Sequence, residues 1–231
     1  CDDTLAIIYF ETYTGLEPNQ AQPDGSFITS FTQAYVNPGR CVGDTDERRT
    51  TRVLVNDSAV FAVGGSLPIV DGDAFVVEGP AQGGGVLCWD PNAQLSVAGD
   101  LTLRDVEVVF GTPSPDFTVC VPASGNAVAP FRIDVDDGSS ARLTLDQVTF
   151  ASAELSGALI DVANTPADLA RDATIELLRT SVTGTMDGLV DVRGHAVDLF
   201  VQQSTFSGTA TGPLFSLASG TGEASTVTVD G

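Results

Sequence analysis

The sequence predicts an all-β protein whose strands lie over one another in successive layers, and three observations predict it. An eight-residue phrase returns four times: LTLRDVEV (101–108), LTLDQVTF (143–150), IELLRTSV (175–182) and LFVQQSTF (199–206). Thr, Val, Ser, Gly and Asp dominate the region that holds these stretches, and they favour strands and turns over helices. The interval between copies shrinks from 42 to 32 to 24 residues, while the phrase keeps its length.

Apolar residues fill positions one, three and eight of the phrase: Leu101, Leu103 and Val108; Leu143, Leu145 and Phe150; Ile175, Leu177 and Val182; Leu199, Val201 and Phe206. That is strand alternation with period two, bent once in the middle. Position six reads Val106, Val148, Thr180 and Ser204. A second phrase follows, as FRIDVDDG (131–138), ALIDVANT (158–165), GLVDVRGH (188–195) and PLFSLASG (213–220). Its apolar pairs align as Ile133 and Val135, Ile160 and Val162, Val190 and Val192, Phe215 and Leu217.

Helical repeats would place apolar residues every three to four positions. A propeller blade needs about 40 residues and four strands, too many for the 24-residue interval. That interval fits one coil of a parallel β-helix, in which each strand stacks on its counterpart one turn away. Loops leaving at the corners lengthen the period without breaking the stack. On this repeat pattern, residues 93–231 resemble the right-handed parallel β-helix family, the fold of pectate-lyase-like proteins and many bacterial surface proteins. The likeness rests on the repeat and carries no catalytic signature, so what it implies is a fold.

Upstream, TRVLVNDSAVFAVGG (51–65), LPIVDGDAFVVEG (67–79) and GGVLCWDPNAQLSVAG (84–99) read as the first coils, separated by Gly, Asp and Pro turns. The division is therefore residues 1–49 as an N-terminal β cap or assembly segment and residues 50–231 as the parallel β-helix. The first segment is aromatic-rich and holds Tyr9, Tyr13 and Tyr35. At the other end EASTVTVDG stops in mid-strand. The expectation there is either that another chain stacks on it or that the sequence is part of a longer protein.

Formal charge is −21, and all ten basic residues are Arg. Phosphate binding needs a basic footprint, so the balance reads against nucleic acid and against an anionic membrane surface. A transmembrane helix needs about 20 apolar residues, and no such run is present. Cations, cationic surfaces, neutral polymers and simple solubility remain. Cys1 opens the chain, as a lipid-modified cysteine opens a bacterial lipoprotein, but CDDT runs into LAIIYF without the polar linker such proteins carry.

Cys1, Cys41, Cys88 and Cys120 form no CxxC pair. Two disulfides in an oxidising compartment are expected, with Cys1–Cys41 and Cys88–Cys120 the preferred pairing because sequence neighbours close short loops. The alternative is four buried thiols. The Asn56-Asp57-Ser58 sequon suits a secreted chain.

In the second phrase Asp134, Asp161 and Asp191 occupy one position, with Ser216 ending the column. Stacked at about 4.8 Å, three carboxylates would repel one another and favour a bound cation. Calcium is the expected metal, and a carboxylate cluster for glycosidic chemistry the other functional reading. The bland reading is a solvated acidic face. Asp136-Asp137-Gly138 and Asp71-Gly72-Asp73 read as turns; His195, with Ser204 and Asp198 near it in sequence, lacks any arrangement that would make a triad. Arg179 and Arg193 read as partners of neighbouring Asp, and Arg48, Arg49 and Arg52 as neutralising Asp44, Asp46 and Glu47. Thr149, Ser181 and Thr205 stack at one position, beside Ala151, Thr183 and Ser207, giving a flat hydroxyl face suited to sugars, ice or another coil.

These readings point to an extracellular or cell-surface, non-enzymatic structural or adhesive protein. Its partners would be further copies in an end-to-end filament, a neighbouring surface protein or a polysaccharide. The alternative is a carbohydrate-active lyase or hydrolase that uses the acidic ladder, with or without calcium.

Overall fold

The computed structural model describes residues 6–10, 50–55, 60–69, 72–81, 84–115, 118–123, 127–134, 140–163, 173–193, 196–218 and 225–231, and among them every regular element is a strand. After β1 (Ala6–Phe10) the strands come in threes. The first turn is β2 (Thr50–Val55), β3 (Val60–Val63) and β4 (Ser66–Ile69); the second is β5 (Ala74–Glu78), β6 (Gly85–Trp89) and β7 (Gln94–Val97). The third is β8 (Asp100–Arg104), β9 (Val106–Pro113), a short extra strand β10 (Cys120–Pro122), and β11 (Phe131–Asp134). The fourth is β12 (Ala141–Asp146), β13 (Thr149–Glu154) and β14 (Ala158–Ala163); the fifth is β15 (Ala173–Leu178), β16 (Ser181–Met186) and β17 (Gly188–Arg193). The sixth is β18 (Val197–Gln202), β19 (Thr205–Ala210) and β20 (Phe215–Ala218), and β21 (Thr226–Asp230) begins a seventh.

Each strand pairs in parallel with its counterpart one turn away, so the chain visits three sheets in rotation. Sheet A holds eight strands from β1 to β21, sheet B runs from β3 to β19, and sheet C from β4 to β20. Only β10, antiparallel to β9, departs from the pattern. The protein is thus all-β with stacked parallel sheets, an arrangement compatible with a β-helix-like fold. β1 extends sheet A beyond β2; the remainder of the expected cap over 1–49, with Tyr13 and Tyr35, lies outside the described residues.

The first phrase lies in the register its alignment predicts. Leu101, Leu143, Ile175 and Leu199 are successive partners, and so are Leu103, Leu145, Leu177 and Val201. Val108, Phe150, Val182 and Phe206 form the matching column in sheet B. A single hydrophobic cluster runs from Val53 to Val201 between the sheets. A strand alternates its side chains across two faces, which is why every second residue of these phrases enters that cluster.

The bend inside the phrase is a single residue. Asp105, Gln147, Arg179 and Gln203 occupy position five of the four copies and have φ of 54°, 56°, 51° and 49°. Left-handed backbone costs a non-glycine residue roughly 1–2 kcal/mol. Here it turns the chain from sheet A into sheet B without interrupting the pairing. The N–H of Asp105 donates to Asp146 O (3.0 Å), that of Gln147 to Leu178 O (2.8 Å), that of Arg179 to Gln202 O (2.7 Å) and that of Gln203 to Asp230 O (2.9 Å). One predicted strand is therefore two, and a turn holds three strands rather than two. Just past the bend, the Thr180 hydroxyl donates to Leu145 O at 2.8 Å and the Ser204 hydroxyl to Leu177 O at 2.9 Å. This explains two hydroxyls where the earlier copies carry valine.

The second phrase departs from its predicted alignment in the first copy. Phe131, Ile160, Val190 and Phe215 are successive partners, and Ile133 is level with Val162. FRIDV alternates over three apolar residues, and a slip of two keeps the same face inward, so periodicity alone leaves the register open. Phe131 decides it by packing edge-on against Trp89 (centroids 5.1 Å apart) and Phe150 (6.3 Å) in the core.

Midway along β16 and β19 in sheet B, the chain passes so close to the preceding turn that side chains are excluded. A Cβ on Gly184 would lie 1.8 Å from Ala153 O, and one on Gly208 would lie 1.8 Å from Gly184 O. Both glycines have positive φ, 148° and 132°. Gly184→Ala is expected to destabilise the protein by about 2 kcal/mol or more, combining a backbone clash with a disfavoured φ. Thermal unfolding of the variant checks this; an unchanged midpoint would contradict the close approach.

Candidate functional site

The acidic positions lie on the outer face of sheet C. Asp161 is level with Asp191, which is level with Ser216, as predicted. Asp134 does not join them: the two-residue shift in β11 places Arg132 level with Asp161 and Asp134 level with Ala163. The predicted column of three carboxylates is therefore a pair preceded by an arginine. Arginine holds all three acids. Arg132 Nε donates to Asp134 Oδ1 at 2.8 Å, and Ser96 Oγ donates to Asp134 Oδ2. Arg193 Nη2 donates to Asp161 Oδ1 at 2.6 Å, while its Nε lies 3.4 Å from Asp191 Oδ2. The hydrogen bond and charge of Asp161, with the charge of Asp191, raise the Arg193 pKa still further above its ordinary value and fix it as a cation. Among the described residues, no group of three or more His, Cys, Asp or Glu is gathered as a metal site requires.

A second charged cluster stands at the corner between sheets A and B; the sequence pointed to an Asp partner for Arg179, but neither Asp146 nor Arg104 was picked out. Asp146 is buried, yet Arg104 Nε lies 3.3 Å from its Oδ2 and Arg179 pairs with its Oδ1. Charges leave water at a cost unless they are paired and hydrogen-bonded, and two arginines meet that condition here. Position four of the aligned phrases carries the signal: Arg104 and Asp146 are register partners with opposite charge. Arg179 comes from position five, so its reach back to Asp146 depends on the left-handed bend. Arg52 likewise pairs one turn onward, with Glu78 (Nε–Oε2 2.8 Å); Asp44, Asp46 and Glu47, the local run expected to balance it, lie outside the described residues.

The hydroxyl face of sheet B is present in register: Thr149, Ser181 and Thr205 are partners, and Thr183 faces Ser207 with their hydroxyls 3.2 Å apart. Ala151 falls in a bulge between Phe150 and Ala153 and does not continue the second column. Of the predicted disulfides, Cys88–Cys120 is formed. Cys1, Cys41, His195, Asp71, Asp136, Asp137, Arg48 and Arg49 lie outside the described residues.

The other exposed feature is the seventh layer. Leu143 and Ile175 are fully buried and Leu199 is 1% exposed, but the next member of their column, Val227, is 42% exposed. Leu145 and Leu177 are buried, while Val229 in their column is 67% exposed. Phe206, Phe215 and Leu217, the last described members of their columns in sheets B and C, are only partly buried. Here the apolar interior of the stack meets solvent.

The site and the fold together define a stacked-parallel-sheet protein with ion-paired acidic faces. No family model, no curated protein and no solved structure matches the chain.

At the corner cluster, burial pushes the Asp105 carboxyl above its ordinary range; Asp146 and Glu78 add to the shift, and Arg104 and Arg179 oppose it. The folded state thus holds this proton more tightly than the unfolded chain. The contribution favours folding at low pH and is lost as pH rises through the folded value. Asp105→Asn removes the charge, keeps an oxygen for the Gln147 amide and suits left-handed backbone. The variant is expected to melt above the parent at pH 7, with the advantage narrowing toward pH 3. Paired melting curves across that range check it; an advantage that widens on acidification would contradict the assignment.

Proposed function

We propose that this chain is an extracellular structural or adhesive protein without enzymatic activity, a right-handed parallel β-helix that associates end to end. The layered pairing of the three sheets carries the reading: successive turns repeat one parallel register around shared apolar columns, a geometry that a turn from another chain can continue. The proposed occupant is a second copy of this chain, whose own strand edges and columns have the same spacing. Right-handed connections between parallel strands are close to universal, which supports the hand. A disulfide between Cys88 and Cys120 persists in oxidising surroundings, which supports the extracellular location. The pairing of Asp134, Asp161 and Asp191 with arginine supports a structural use of those acids.

A polysaccharide is the adhesive partner favoured by the outer face of sheet A. Phe200 projects there, 38% exposed, with Glu176 and Thr228 level with it on the neighbouring strands. An aromatic face flanked by hydrogen-bonding groups on a flat sheet accepts the C–H face of a sugar ring. This platform is lateral, so layers added at the end do not cover it. Binding to insoluble neutral polysaccharide is expected to fall several-fold in Phe200→Ala; equal retention would remove this partner.

For the self-association, light scattering of the 231-residue chain is expected to show mass increasing with concentration in the micromolar range. Val227→Glu combined with Val229→Glu is expected to leave a monomer with an unchanged β-sheet circular dichroism signal. A parent chain that stays monomeric throughout would contradict end-to-end association.

A further inference from the structure

Sheet B carries one feature that stacking does not require. β9 pairs with β13 only at Glu107 and Val108, then runs on to Pro113 and folds back through β10 as a hairpin. Most of this hairpin faces solvent: Thr112, Thr118, Val119, Val121 and Pro122 are all exposed. Several of its hydrogen bonds are internal or close to its base. Ser114 N donates to Val119 O at 2.8 Å, Ser114 Oγ accepts from Thr118 N and Val119 N, and Ala123 N donates to Phe110 O at 3.0 Å. A two-stranded hairpin is marginal by itself in water, and this one buries little apolar surface to compensate.

The hairpin is fastened to the stack by the disulfide. Cys88 sits on β6 between Leu87 and Trp89, whose side chains enter the core, so its own side chain points out of the sheet. It is nevertheless 1% exposed. Cys120 closes over it through the Cys88–Cys120 bond, with the Cys120 Sγ 3.5 Å from Val109 O. The two ends of the bond differ in what else holds them. β6 is hydrogen-bonded on both sides, to β3 and β9, whereas β10 has β9 alone.

We propose that Cys88–Cys120 is a redox-operated clasp: reduction by a dithiol frees the hairpin that β10 makes with the end of β9 and leaves the three sheets assembled. The dithiol attacks as a thiolate at Cys120 Sγ, the more accessible sulfur, and Cys88 departs as a thiolate and takes up a proton. The second thiol of the reductant then displaces Cys120 and closes the reductant's own disulfide. Two electrons and two protons pass to the protein, giving two thiols. The inference is independent of end-to-end association, because the hairpin lies on the side of the stack at the third turn.

Limited thermolysin digestion of the 231-residue chain, mapped by mass spectrometry before and after dithiothreitol, tests the clasp. Cleavage between residues 112 and 123 is expected to rise at least tenfold on reduction, with the β-sheet circular dichroism signal retained. The double variant Cys88→Ser, Cys120→Ser is expected to show the reduced pattern without reductant, which separates this bond from any involving Cys1 or Cys41. Equal cleavage in both redox states would overturn the proposal, as would loss of the β signal on reduction.

Discussion

The structure depends on in-register hydrogen bonding between equivalent positions of successive turns. Once Leu143 lies over Leu101 and under Ile175, the positions that follow inherit their places until a loop intervenes. Parallel strands are about 4.8 Å apart, close enough for stacked side chains to touch. Inward positions therefore line up as largely apolar columns, and outward ones as largely polar rows, with Val76 and Phe200 as exceptions on sheet A. The loops between strands vary in length because the strands carry most of the pairing, which is how a 42-residue and a 24-residue interval share one architecture.

That constraint also decides what the corners do. From the third turn to the sixth, the step from sheet A to sheet B changes direction within one or two residues while its backbone stays paired to the neighbouring turns. The bend at Asp105, Gln147, Arg179 and Gln203 uses left-handed backbone and recovers part of its conformational cost through hydrogen bonds to the next turn. Within sheet B, positive φ at Gly184 and Gly208 instead brings the position of a Cβ against the backbone of the preceding turn, which leaves no room for a side chain.

What could be read in advance follows from the same logic. The first phrase was legible because apolar residues at three fixed positions leave only one face to bury and one alignment to choose. The left-handed bend was not: apart from Asp105, position five carries Gln and Arg, which are not the usual occupants of such backbone, and their conformation is imposed by pairing on both flanks rather than by local preference. FRIDV was ambiguous in steps of two, and the contacts of Phe131 with Trp89 and Phe150 lie too far apart in sequence to be seen. Placing Asp134 beside Asp161 followed from that ambiguity, and the column of acids was shortened with it. The Cys88–Cys120 pairing was legible as a short loop, but the hairpin it fastens was not, since VCVP offers only three residues of strand.

Charge is arranged by the stack as well. Asp146 tolerates burial because Arg104 is its register partner and Arg179 reaches it from the bend. Asp161 and Asp191 share Arg193 across one layer. Among the described residues, Arg52, Arg104, Arg132, Arg179 and Arg193 each stand beside a carboxylate. The central claim, that equivalent outward positions rise by one strand spacing per turn, is open to direct measurement. Spin labels at Thr228 and Thr102, and then at Thr228 and Val76, lie four and five layers apart in one column of sheet A. Pulsed dipolar spectroscopy is predicted to give backbone separations near 19 and 24 Å, a step of about 4.8 Å. Distances without that step, as from strands folded back against one another in a sandwich, would contradict the account.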